Sequence, residues 1–246
     1  METMRARAAA TAAIAMGIAS GVAASTPAAH ADPSCVERSD HATIVRFRTS
    51  DRVSLAGVTM GGGPAGVVLA HQVDGDLCAW LPFARVLKAA GFRVLAFDFR
   101  NFGTSQHTGA STHLERDVVA AAAEVRRLGA SRTYLVGASM GGTAVLTAAP
   151  SIRPAVAGVI SLSGPSTFVD MDALAAVKKL HAPALFAVGR YDHDFVADVK
   201  AQYAAAASKD KRLVVRPNGY HGTLLVDGAE GAPLRRIVLA FLRSHR

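Results

Sequence analysis

The sequence predicts an α/β fold: a mostly parallel eight-stranded sheet with helices on both faces and no large cap domain. Three observations carry this. Short apolar, β-branched runs alternate with helical segments from residue 66 to the end. Glycine or proline punctuates most of the transitions. Strands such as GVVLAH and APALFAVG are apolar along their whole length, as strands covered on both faces must be.

The elements follow in order. ATIVRFRT (42–49) and VSLAGVTM (53–60) are β-branched and alternating, and Ser50-Asp51 turns the chain between them. Gly61-Gly62-Gly63-Pro64 breaks the run, and GVVLAH (66–71) is a buried strand. LCAWLPFARVLKAAG (77–91) has helical spacing and stops at glycine. FRVLAFDF (92–99) is a strand, and THLERDVVAAAAEVRRLG (112–129) is a helix with one apolar and one charged face. TYLVGAS (133–139) is a strand, followed by a small-residue helix at 141–150. AVAGVISLSG (155–164) and APALFAVG (182–189) are strands, with a short helix at 170–180 between them. Only 17 residues separate these two strands, too few for a large lid. A helix at 194–208, a strand at 211–217 and a helix at 233–246 complete the chain.

Residues 1–31 read as a separate unit. Arg5 and Arg7 precede an uncharged alanine-rich run, and Ala29-His30-Ala31 fits an A-x-A cleavage site. This is the pattern of a secretory signal peptide cleaved after Ala31, so the expected location is extracellular. The folded domain is then 32–246. No later segment is long and apolar enough to span a bilayer.

The chain has 27 basic and 19 acidic side chains; loss of Arg5, Arg7 and Glu2 lowers the net charge from +8 to +7. No basic run interleaves with the few aromatics, which argues against nucleic acid as a partner. The two cysteines, Cys35 and Cys78, form a disulfide in an exported chain or remain as two free thiols. Without a histidine cluster they make no zinc site.

The stretch VGASMGGTA (136–144) carries the chemistry. Ser139 has Gly137 two residues before it and Gly141 two after, at the junction of a strand and a helix. There a sharp turn exposes the hydroxyl, and the helix N-terminus favours negative charge. A serine hydroxyl needs a base, and the base needs an orienting carboxylate. Asp192 follows one later strand in GRYDHDF, and His221 follows the next in PNGYHGTL. Both fall at the C-terminal strand edge, where α/β sheets bind ligands.

Together the segments VVLAHQ, FDFRNFGTS, VGASMGG, GRYD and YHG resemble the α/β-hydrolase fold superfamily over residues 42–246. Within it the chain resembles compact, lidless serine esterases and dienelactone-hydrolase-like enzymes. It implies a triad of Ser139, Asp192 and His221. It also implies an oxyanion hole built from the Met140 N–H and a donor after His71, either Val73 or Gln72. The chain has His71-Gln72 where many relatives have His-Gly, and Asn101 where glycine is usual. The FDFRNFGTS turn is expected to be structural at Asp98, Arg100 and Gly103.

Several residues compete for roles. Asp194 is an alternative to Asp192. His71 is expected to brace the oxyanion loop, and His193 to be exposed. His107 and His113 are expected near the mouth, at the surface rather than in contact with substrate, Trp80 in the core, and Tyr220 either lining a pocket or packing beside His221. The expected function is a secreted hydrolase of small or medium carboxylic esters acting through an acyl-enzyme, with no metal or organic cofactor. Thioesterase, amidase or peptidase, polyester hydrolase, and a non-catalytic binder on the same scaffold are the alternatives. The fold does not choose among them.

Overall fold

The computed structural model describes residues 33–245. The predicted leader, 1–31, lies outside them. The strands are β1 (Thr43–Arg48), β2 (Ser54–Met60), β3 (Ala65–Ala70), β4 (Arg93–Phe97), β5 (Arg132–Ala138), β6 (Gly158–Leu162), the two short strands β7 (Thr167–Phe168) and β8 (Met171–Asp172), β9 (Ala184–Gly189) and β10 (Lys211–Arg216). The helices are α1 (Leu81–Ala89), α2 (Leu114–Arg127), α3 (Met140–Ala148), α4 (Ala173–Val177), α5 (His193–Ala205) and α6 (Ala232–Ser244).

Eight strands form the main sheet in the order β1-β2-β4-β3-β5-β6-β9-β10. β1 and β2 pair antiparallel, as do β2 and β4; the remaining pairs are parallel. The order reverses around β3, so the C-terminal ends of β3, β5, β6, β9 and β10 share one edge. Successive side chains of a strand point to opposite faces. In β3, Val68 and Ala70 therefore join the core beneath α2, α3, α4 and α5, while Val67 and Leu69 join the core beneath α1 and α6. α2 buries Leu114, Val118, Ala121, Ala122 and Val125, one stripe at helical spacing.

The expected fold class and its eight strands match the structure, and local chemistry moves some boundaries. The segment expected as one helix from residue 77 begins as a 3-10 turn, Leu77–Trp80, because the Asp76 side chain accepts from the Cys78 N–H. α1 starts after it, with Pro82 in its first turn. Trp80 is fully buried. His113 takes φ 63°, so α2 begins at Leu114 and not at Thr112. The helix expected over 170–180 shrinks to α4 because Asp172 caps it, accepting from the Ala175 N–H at 2.8 Å. Residues 167–172 before it form the β7–β8 hairpin. Between β6 and β9 the chain makes only this hairpin and α4. Cys35 and Cys78 are joined in a disulfide that ties the N-terminal segment to the turn before α1. Among the described residues, no helix is long and apolar enough to cross a membrane.

Candidate active site

Ser139 sits between β5 and α3 at φ 49° and ψ −118°. A non-glycine residue at positive φ is strained by about 1–3 kcal/mol, and such strain persists only where the surroundings over-determine it. Here they do. The Ser139 N–H donates to the Leu162 carbonyl at 2.8 Å, and its carbonyl accepts from the Thr143 N–H at 3.1 Å. A β-carbon on Gly137 would stand 2.1 Å from the Gly141 carbonyl oxygen, and one on Gly141 would stand 2.2 Å from the Ala70 carbonyl oxygen. The two glycines thus let the turn close and let the first turn of α3 press against the end of β3.

Asp192, on the loop after β9, is buried, while Asp194, in the first turn of α5, is exposed. The Asp192 carboxylate meets His221 Nδ1 at 2.9 Å. An ionised carboxylate only accepts hydrogen bonds, so the imidazole proton lies on Nδ1 and Nε2 is left as the acceptor. The Phe195 ring packs on the imidazole, with centroids 4.2 Å apart. His221 lies on the loop after β10. A β-carbon on its neighbour Gly222 would stand 3.5 Å from the Ala138 side chain, the residue before Ser139. The structure therefore brings the histidine loop over the end of β5.

The loop after β3 completes the edge. His71 is fully buried between Phe99 and Phe102, each ring 5.1 Å away. Its Nε2 accepts from the Phe99 N–H at 3.1 Å, so Nδ1 carries the proton and donates to the Gln72 carbonyl at 2.7 Å. Burial lowers the His71 pKa to about 4, so the ring is neutral near pH 7. The Gln72 carbonyl also accepts from the Gly75 N–H at 3.3 Å. In a trans peptide the N–H points away from the C=O, so the Val73 N–H is aimed opposite His71. Val73 is half-exposed. Among the described residues, neither the Val73 nor the Met140 N–H has a hydrogen-bond partner. Met140 opens α3, where the first N–H groups have no intrahelical acceptor. The Gln72 side chain turns instead to Thr223 and Asp74.

The turn after β4 is a scaffold. Asp98 accepts from the Leu77 and Thr104 N–H groups, each at 2.8 Å. Burial raises its pKa. Arg100 donates to Asp117 at 2.6 Å and to Asp51 at 2.8 Å, and both bonds hold it charged although burial opposes this. Asn101 takes the left-handed φ of 69°. His107 and His193 are exposed, and His113 pairs with Asp170 at 3.0 Å. Tyr220 is exposed and lines a hollow of about 280 Å³ beside the His221 loop, with Leu224 on its wall. Phe195 and Thr223 were not marked by the sequence; both touch the site through pairings that no local motif announces.

A family described as "alpha/beta hydrolase fold" matches residues 62–178. The Escherichia coli (strain K12) protein YfhR is 26% identical, with 73% of each chain covered. A 2-hydroxy-6-oxononadienedioate/2-hydroxy-6-oxononatrienedioate hydrolase of Burkholderia vietnamiensis is 33% identical over 121 residues, 45% of this chain and 41% of that one. Among solved structures, the Pyrococcus furiosus esterase Pf2001 superposes with a TM-score of 0.74 at 19% identity, covering 84% of this chain and 92% of the esterase. With its reversing strand order and its strained serine between β5 and α3, the chain has the α/β-hydrolase fold, and its residues 62–178 are similar to that family.

Proposed function

We propose that the protein is an exported serine hydrolase that cleaves carboxylic esters through an acyl-enzyme. One observation carries the reading: the Asp192–His221 hydrogen bond stands at the same sheet edge as the strained Ser139. Ser139 Oγ attacks the ester carbon as His221 Nε2 takes its proton. The oxyanion that forms accepts from the Met140 and Val73 N–H groups, aided by the N-terminus of α3. The imidazolium then protonates the leaving alkoxide, and the alcohol departs. Water enters, gives its proton to Nε2 and attacks the acyl carbon, which frees the acid and restores Ser139. Asp192 holds the Nδ1–H tautomer and offsets the transient positive charge.

The short connection between β6 and β9 has no room for a large lid, which suits small to medium esters. The Burkholderia and Pyrococcus relatives named above are a hydrolase and an esterase, in keeping with this reading. Export rests on the leader-like first 31 residues, and the Cys35–Cys78 disulfide fits an oxidising compartment. The test is hydrolysis of p-nitrophenyl esters from acetate to long acyl chains by the purified protein and its Ser139→Ala variant. Turnover that peaks at short or medium chains and vanishes in the variant is expected. Equal turnover by both proteins would refute the assignment of Ser139.

A further inference from the structure

Gln72 has a position of its own in this site. Its Oε1 accepts from the Thr223 N–H at 3.0 Å and from the Thr223 hydroxyl at 3.2 Å, across 151 residues of sequence. Its Nε2 donates to Asp74 Oδ1 at 2.8 Å. The side-chain oxygen and nitrogen are thus both engaged, and the backbone carbonyl is held by His71 and Gly75. The same residue therefore orients the peptide that carries the Val73 N–H and grips the turn that follows His221.

The fit around Gln72 is close. Gly222 has φ 56°, and a β-carbon there would stand 2.2 Å from Gln72 Oε1. The glycine beside His221 is what lets the amide reach Thr223. On its other side the histidine loop is held through Asp192 and through the Tyr191 N–H, which donates to the Asn218 carbonyl at 3.0 Å. Apart from Gln72, the loop is anchored from the β9–α5 side and, at the far end of the turn after His221, by Arg235 of α6, whose Nη1 donates to the Val226 carbonyl at 2.8 Å.

We infer that Gln72 is a positioning residue. It fastens the His221 loop to the loop bearing the Val73 N–H, so that the base and the oxyanion donor keep one spacing from Ser139. It gives no hydrogen bond to the oxyanion itself. The inference rests on the proposed roles of His221 and Val73. A shift of about 1 Å in such a constellation costs on the order of 100-fold in rate, so the effect falls on kcat and leaves substrate binding nearly unchanged.

The test compares wild type with Gln72→Met, which keeps the bulk and loses the hydrogen bonds; Gln72→Glu, which keeps the acceptor for Thr223; Thr223→Val; and the double variant Gln72→Met/Thr223→Val. On p-nitrophenyl butyrate, Gln72→Met is expected to lower kcat about 10- to 100-fold with KM within about threefold. Gln72→Glu keeps the acceptor for Thr223 but turns its second oxygen to the Asp74 carboxylate, so it is expected to recover part of the rate lost in Gln72→Met, with the acidic limb of its pH profile moved upward by the added negative charge. The double variant is expected to be no slower than Gln72→Met, because both changes cut one bridge. An unchanged kcat in Gln72→Met, a loss confined to KM, or additive losses in the double variant would overturn the inference. Amide exchange at Thr223 reads the bridge without turnover: exchange at least about tenfold faster in Gln72→Met supports it, and unchanged exchange overturns it. A wild type that neither turns over nor labels with a fluorophosphonate refutes the serine-hydrolase reading, while the exchange experiment still judges the bridge.

Discussion

Asp192 Oδ2 stands 2.9 Å from His221 Nδ1, and the Phe195 ring covers the imidazole beside that bond. The carboxylate fixes which nitrogen carries the proton, and the ring limits how the imidazole can turn. Asp194, two residues on, lies exposed in the first turn of α5. Asp192→Asn should therefore lower kcat by about three to four orders of magnitude through the wrong tautomer. Asp194→Asn should leave it within about twofold. Steady-state rates on a short-chain ester check both.

Burial of His71 makes stability depend on pH. Its pKa is about 4 in the fold against 6.5 in an open chain. Between those values the unfolded chain binds the extra proton, so stability falls as pH drops from 6.5 towards 4 and the loss is complete below 4. The difference is worth about 3 kcal/mol. Urea unfolding at pH 7, 5.5 and 4.5 should show this decline, and His71→Gln should flatten it. The lowered Asp51 pKa, held down by Arg100, adds its own loss only at more acid pH.

The disulfide closes a long loop, with Cys35 and Cys78 separated by 43 residues. Chain-entropy reasoning gives about 4 kcal/mol for a loop of this size. Cys35→Ser/Cys78→Ser should lower the urea midpoint accordingly and leave kcat nearly unchanged, since neither cysteine lies on the loops that hold Ser139, Asp192 or His221.

The glycines of the serine turn are sensitive to a single methyl. In Gly137→Ala the new carbon would press on the Gly141 carbonyl oxygen, backbone that has no rotamer by which to yield. A destabilisation of about 3 kcal/mol or more is expected, read by thermal or urea unfolding. Any folded fraction should also lose activity, because relieving the contact moves Ser139.

Much of this arrangement was legible in the sequence, because it rests on local chemistry. The apolar strands alternate with helices, and the spacing of Gly137, Ser139 and Gly141 marks a turn that larger residues would block. The order Ser139, Asp192, His221 follows the strand ends. What stayed hidden depends on long-range pairing. Nothing near Gln72 announces Thr223, and nothing near His221 announces that the Phe195 ring will cover it. The β7–β8 hairpin escaped because its strands are two residues each, too short for alternation to register. Likewise, nothing near His113 announces its pairing with Asp170 on that hairpin.

The central claim is that Ser139 is an activated nucleophile. The most direct measurement is labelling of the purified protein with a fluorophosphonate, read by intact mass and then by mapping the modified peptide. The account predicts one adduct per chain, located on Ser139, absent in Ser139→Ala and formed far more slowly in His221→Ala. No adduct on the folded wild-type protein, or an adduct on another residue that persists in Ser139→Ala, would contradict it.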